Sequence, residues 1–248
     1  KKVLVTGTTG FIGLHCVNQL LNKGFTVHGT LRSFDRKNEV MDALALQNTS
    51  TENLSLFETD LLVDKGWDEA IEGCEYVLHV ASPFVLTPES EDFFVKPAVE
   101  GSLRVLKLAN KHKIKKLVLT SSFAAMVDTL EEKDSFDETD WSDPNKKNIR
   151  SYGKSKTLAE KAAWDYMASN TPSFSLTVIN PVAVTGPSLS KDIGTSNSIV
   201  GQMINGNVPG TAKVHIGYVD VRDVAAAHIL AMQNASSNGE RFALSEKD

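Results

Sequence analysis

Tyr152 and Lys156 are a pair whose types and spacing suggest chemistry. They stand four residues apart at the start of a helix-forming run, Ser151-Tyr152-Gly153-Lys154-Ser155-Lys156, so both side chains fall on one helical face. A phenol is a poor acid or base at neutral pH, its unperturbed pKa being about 10. A neighbouring ammonium favours the phenolate, so Lys156 would bring Tyr152 toward a range useful for proton transfer. The same spacing also arises by chance in amphipathic helices, and the surrounding elements must decide whether the pair is a site.

Those elements begin at the first residues. Val3-Leu4-Val5-Thr6 is a short β-branched apolar run, read as a buried parallel strand. It passes straight into Gly7-Thr8-Thr9-Gly10-Phe11-Ile12-Gly13 and then an amphipathic helix to about Lys23. Glycines spaced in this way between strand and helix let the backbone approach a pyrophosphate and aim helix N-terminal amides at it. Gly7, Thr9, Gly10, Phe11, Ile12 and Gly13 are therefore expected to hold a dinucleotide. The alternative is a glycine-rich turn without a ligand. The second strand, Phe25 to Leu31, ends in Arg32 with no acid before Asp35. An acid there would accept from the ribose 2′-hydroxyl of NAD, whereas Arg32 suits the 2′-phosphate of NADP, with Arg36 and Lys37 assisting.

A helix near Lys37 to Leu46 leads to a third strand, Leu54 to Phe57, followed by Asp60-Leu61. At the strand's carboxyl end, Asp60 could accept from an adenine amino group or cap a helix beginning near Asp64. The fourth strand, Glu75 to Val80, closes on Ala81-Ser82-Pro83, small residues that leave room for a cofactor. A helix from about 93 to 112 precedes the fifth strand, Lys116 to Thr120, which ends in Ser121-Ser122. Phe174 to Ile179 reads as a sixth strand. Strands and helices alternating this regularly specify an α/β doubly wound Rossmann-type parallel sheet. Three segments are expected: 1–180 binding NADP, 181–217 contributing to a smaller substrate lobe, and 218–248 returning to the sheet.

Composition narrows the function classes. With 248 residues and 41% hydrophobic content, the chain can bury a full core. A net charge of -5 with scattered Lys and Arg does not suggest a nucleic-acid surface. Cys16 and Cys74 lack metal-ligand spacing and sit in apolar stretches, so reduced buried thiols are expected. No apolar run approaches the roughly 20 residues of a membrane span, and a cytoplasmic setting without membrane partners is the expectation. The acidic stretch Glu131 to Asp143 is read as a solvated loop rather than a metal site, and no metal is expected.

Together, Thr6-Gly7-x-x-Gly10-Phe11-Ile12-Gly13, the serine after strand five, Tyr152-x-x-x-Lys156 and Asn180-Pro181 resemble the extended short-chain dehydrogenases/reductases. Leu119-Thr120-Ser121-Ser122, Asp137-Glu138-x-x-Trp141-Ser142 and Tyr218 to Ala225 resemble the group of dihydroflavonol, cinnamoyl-CoA and methylglyoxal/aldehyde reductases within them. The resemblance covers essentially the whole chain through the order and spacing of its motifs. It implies an NADPH-dependent carbonyl reductase with Ser122, Tyr152 and Lys156 as catalytic residues, Ser121 being the weaker candidate serine. Ala81, Ser82, Thr120, Pro181 and Val182, with Tyr152 and Lys156, would contact the cofactor, and Phe84, Phe123 and Pro187 would wall a hydrophobic or aromatic carbonyl substrate. Asp220-x-Arg222-Asp223 is read as capping and charge pairing. Alternatives are a nucleotide-sugar epimerase or dehydratase holding NAD, against which Arg32 argues, and a non-catalytic dinucleotide sensor. Members of the group continue beyond a stretch like Gly239 to Ser245, so part of the substrate lobe is expected to lie outside this sequence. Monomer and homodimer, the latter through helices near 93–112 and 151–169, are both open.

Overall fold

The structure is a computed structural model that describes residues 1–82, 92–129, 135–208, 210 and 216–246, and side chains from 95 onward in the helix that begins at Asp92. Strands β1 (Lys2–Thr6), β2 (Thr26–Leu31), β3 (Leu54–Glu58), β4 (Tyr76–His79), β5 (Lys116–Thr120) and β6 (Ser175–Pro181) fall within two residues of the expected positions. Two short strands, β7 (Ala183–Thr185) and β8 (Tyr218–Asp220), pair in parallel as a separate sheet. The last strand, β9 (Arg241–Leu244), lies beside β6.

The main sheet runs β3-β2-β1-β4-β5-β6-β9, and each neighbouring pair is parallel. Because both faces of a parallel sheet must be covered, successive residues alternate between two cores. On one side Val3, Val5, Leu78 and Val118 pack with Leu14, Val17 and Leu20 of α1 (Phe11–Asn22), with Val40 and Leu44 of α2 (Lys37–Leu46), and with Ala225 and Ile229 of α8 (Val221–Gln233). On the other, Leu4, Val77, Leu117 and Leu119 pack with Trp67 and Ile71 of α3 (Trp67–Ile71), Val105 and Leu106 of α4 (Asp92–Lys111), and Ala163 of α6 (Ser151–Asn170). A one-turn α5 (Ala124–Val127) follows β5, and α7 (Thr195–Ile204) lies between β7 and β8.

The order of connection reverses between β1 and β4, which opens a crevice at their carboxyl ends. Thr6 ties these ends together. Its hydroxyl oxygen accepts from the Val80 and Ala81 amides, each at 3.0 Å, so its proton points to His79 Nδ1 at 2.8 Å. Burial, then the charge of Lys156, pushes His79 down to about 3, which keeps the ring neutral and able to accept that proton.

Two expectations are corrected by local geometry. Asp60 does not cap α3, which starts after Gly66; its Oδ1 accepts from the Leu62 amide at 2.8 Å and closes a local turn. Ser135 to Thr139 are exposed as expected of a solvated loop, but the segment is docked. The Glu138 and Asp140 carbonyls accept from Arg241 Nη1 at 2.7 and 2.9 Å, and the Arg241 guanidinium stacks 3.7 Å from the Trp141 ring centre. The expected capping by Asp220 is present: it accepts from the Arg222 amide at 2.7 Å and pairs with its guanidinium at 2.6 Å. Both cysteines are free and buried, and burial pushes each thiol up to about 12.

Candidate active site

The crevice has a volume of about 1320 Å³, above the ~300–1,000 Å³ of pockets for a single drug-sized ligand. Its floor is the turn from β1 to α1. Gly7 has φ +73°, and a Cβ there would come 3.0 Å from the Ala81 Cα. A Cβ on Gly13 would collide with the Gly7 carbonyl, so α1 can start directly above the strand end only because that position is bare. Thr8 secures the turn to β2, its amide and hydroxyl both donating to the Thr30 carbonyl at 2.9 Å. The result is an open cradle in front of the first turn of α1, suited to a phosphate group.

At one end of the crevice Arg32 follows β2 as an exposed side chain. Arg36 also lines it, but its guanidinium is held by Glu39 in a paired contact at 2.9 and 3.0 Å. Lys37 does not line the crevice: α2 begins at this residue and carries it away from the strand end. Asp60, Leu61, Ala81 and Ser82 complete the wall beyond β3 and β4.

At the other end the expected catalytic residues share one cleft. Tyr152 and Lys156 project from the first two turns of α6, with Lys156 Nζ 5.9 Å from the phenol ring centre. Lys156 is 7% exposed, an unusual depth for an ammonium and one that calls for a polar companion. Ser122 lies just past β5, its hydroxyl accepting from the Ala124 amide at 3.2 Å. Ser121 is otherwise committed, donating to Glu160 Oε2 at 2.5 Å. Thr120 spends its hydroxyl on His228 Nε2 at 2.6 Å, so it lines the crevice without a free side-chain donor.

Pro181, Val182 and Phe123 also line the cleft. Pro187 does not. Past Gly186, at φ +125°, it is exposed, and its carbonyl accepts from His15 Nε2 of α1 at 2.9 Å. Phe84 lies outside the described residues. The sequence reading did not single out Arg150 or the segment from Lys191 to Ile199, which line the cleft through tertiary packing. Gly194, at φ +73°, is pressed against the Phe11 ring: a Cβ there would come 2.6 Å from Phe11 Cδ1. Among the described residues no His, Cys, Asp and Glu side chains group as a metal site, and no helix is long and apolar enough to cross a membrane.

Arrays of this kind, with a cradle for phosphate, a cation past β2 and a Ser-Tyr-Lys cluster, suit binding of a dinucleotide beside a polar reacting group. Comparison with known proteins agrees. The model of the NAD dependent epimerase/dehydratase family matches residues 3–244. A cinnamoyl-CoA reductase of Medicago truncatula is 38% identical over 247 residues, covering 96% of this chain and 74% of the relative. A dihydroflavonol 4-reductase of Gerbera hybrida is 36% identical over 254 residues, covering 99% and 68%. The crystal structure of yeast methylglyoxal/isovaleraldehyde reductase Gre2 complexed with NADPH superposes with a TM-score of 0.89 at 31% identity, covering 99% of this chain and 78% of that one.

Proposed function

This chain belongs to the NAD dependent epimerase/dehydratase family, and we propose that within it the protein is an NADPH-dependent oxidoreductase that reduces an aldehyde, ketone or dihydroflavonol-like carbonyl to an alcohol. The carrying observation is the joint placement of Ser122, Tyr152 and Lys156 on the same cleft, with Arg32 at its other end where NAD-binding folds carry an acid. The names of the relatives point the same way: a cinnamoyl-CoA reductase, a dihydroflavonol 4-reductase, and a methylglyoxal/isovaleraldehyde reductase complexed with NADPH.

The residues present fit the cofactor. The bare backbone of Gly7, Gly10 and Gly13 gives the pyrophosphate its approach, and the 2′-phosphate would meet Arg32, with Arg36 able to join only by relaxing its contact with Glu39. Lys156, buried against the cleft, would take the nicotinamide ribose hydroxyls as its polar companion. When bound, NADPH supplies the hydride for the carbonyl carbon.

The chain's own residues do the rest. The Ser122 hydroxyl donates to the carbonyl oxygen and holds it near Tyr152, which gives that oxygen its phenolic proton as negative charge develops. The Lys156 ammonium offsets the charge left on the phenol oxygen. Phe123, Pro181 and Val182 give the cleft an apolar side that excludes water and favours hydrophobic carbonyls. Residues 181–217 are assigned to the substrate side.

NADPH oxidation followed with isovaleraldehyde, methylglyoxal, cinnamaldehyde and a dihydroflavonol is expected to show turnover with at least one. Tyr152→Phe is expected to abolish that turnover while NADPH still binds by fluorescence titration. Full activity in that variant, or no consumption with any carbonyl together with tightly held NAD, would overturn the reading.

A further inference from the structure

Glu160 lies two turns beyond Tyr152 and one beyond Lys156 on α6, and its side chain is fully buried. Four donors converge on its carboxylate: Ser121 Oγ at 2.5 Å, Arg241 Nε at 2.5 Å, Asn180 Nδ2 at 2.8 Å and Trp164 Nε1 at 3.3 Å. The Asn180 amide reaches further, donating also to the Ser122 carbonyl at 3.1 Å. The serine and the residue before it are thus both tied to one carboxylate on the helix that carries Tyr152.

Sheet pairing does not provide this link. The Ser121 and Phe123 amides donate to the Ile179 and Pro181 carbonyls at 2.8 and 2.9 Å, which fixes Ser122 against β6. Glu160 carries that position across to α6. The arrangement is also costly. A buried carboxylate–guanidinium pair is seldom more stable than apolar packing of the same volume, and Asn180 Oδ1 and Arg241 Nη2 are buried without a hydrogen-bond partner among the described residues. A polar cluster kept at such a cost beside the reacting groups is explained by what it orients.

We infer that Glu160 and Asn180 are positioning residues that set the Ser122 hydroxyl against Tyr152. This rests on the reading of Ser122 as a catalytic residue, so the test is a double-mutant cycle between Ser122 and Asn180, with NADPH and isovaleraldehyde or the carbonyl turned over fastest in the panel above. Ser122→Ala is expected to lower kcat by about 100-fold, as removal of one oxyanion donor does. Asn180→Ala is expected to lower kcat about tenfold, on the scale of a lost hydrogen bond, with NADPH affinity within about twofold of wild type because Asn180 does not line the cleft. In the double variant the losses should not multiply: its kcat should match that of Ser122→Ala. Multiplied losses, or wild-type kcat in Asn180→Ala, would overturn the positioning role alone. Wild-type kcat in Ser122→Ala would overturn the serine assignment and the inference with it. If Asn180→Ala does not fold, Glu160→Gln runs the same cycle, since the amide keeps one acceptor but loses the charge.

Discussion

Arg32 decides the cofactor preference in this reading. It is the cation directly after β2 and it lines the crevice, whereas Arg36, which also lines it, is occupied by Glu39. A guanidinium facing a phosphate makes a charge-assisted contact, and exchanging it for a carboxylate replaces attraction with repulsion. Arg32→Asp is therefore expected to raise the KM for NADPH by at least about tenfold, the scale of one such contact, and to improve the ratio of NADH to NADPH turnover. Steady-state kinetics with both cofactors checks this, and an unchanged ratio would remove Arg32 from the 2′-phosphate site. Arg32 was legible in the sequence because its position relative to a strand is a one-dimensional fact. The pairing of Arg36 was half legible, since Glu39 stands three residues on and i,i+3 pairs meet on a helix. What Lys37 faces depends on where α2 begins, and that boundary is not written in residue types alone.

At the scale of elements, the start of α6 is set by a neighbour rather than by its own sequence. No side chain caps it from within; instead the carboxylate of Asp128, just past α5, accepts from the Arg150 amide at 2.9 Å and from Arg150 Nε at 2.6 Å. That carboxylate can come so close because Gly153 lacks a side chain: a Cβ there would lie 2.5 Å from the Asp128 carboxyl carbon. Gly153→Ala must push α5 and α6 apart directly beside Tyr152. Overpacking of this kind costs about 1–3 kcal/mol, so Tm should fall by several degrees, at about 2–4 °C per kcal/mol for a chain of this size. kcat should fall with it. Thermal melts and kinetics on one preparation check this, and wild-type values for both would refute the clash. The glycine in Tyr-Gly-x-x-Lys carries no visible sign of this job, because its partner is distant in the sequence. Longer elements were more readable: apolar runs rich in β-branched residues and helical period placed β1 to β6 and the helices around them. β7 and β8, three residues each, are too short to carry a period, and they form only because β6 delivers the chain beside Tyr218 to Asp220.

Across the whole molecule, both helical layers bury a neutral histidine against a strand end that frames the crevice. His79 packs on the α6 side beside Thr6; His228, on α8, donates from Nδ1 to the Val224 carbonyl at 2.7 Å and accepts from Thr120 at Nε2. Neither was singled out from the sequence, where an isolated histidine in an apolar run gives no hint of its partner. Burial pushes His228 down to about 4 and, with help from the Lys156 charge, His79 down to about 3. An unfolded histidine takes up its proton near pH 6.5. Above that pH neither state is protonated and the two residues leave stability unchanged. Below it the unfolded chain binds protons that the folded chain refuses, so stability is lost as pH falls from about 6.5 toward 4, by up to about 1.4 kcal/mol per pH unit for each histidine. Urea unfolding at pH 7.5, 6 and 5 is expected to show a falling midpoint. His228→Gln, which retains a donor and an acceptor but no titration, is expected to be less stable than wild type at pH 7.5 and to lose less on going to pH 5. A variant whose acid sensitivity equals that of wild type would show that the proton is taken up elsewhere, and that the strand end at Thr120 is not a point from which acid opens the fold.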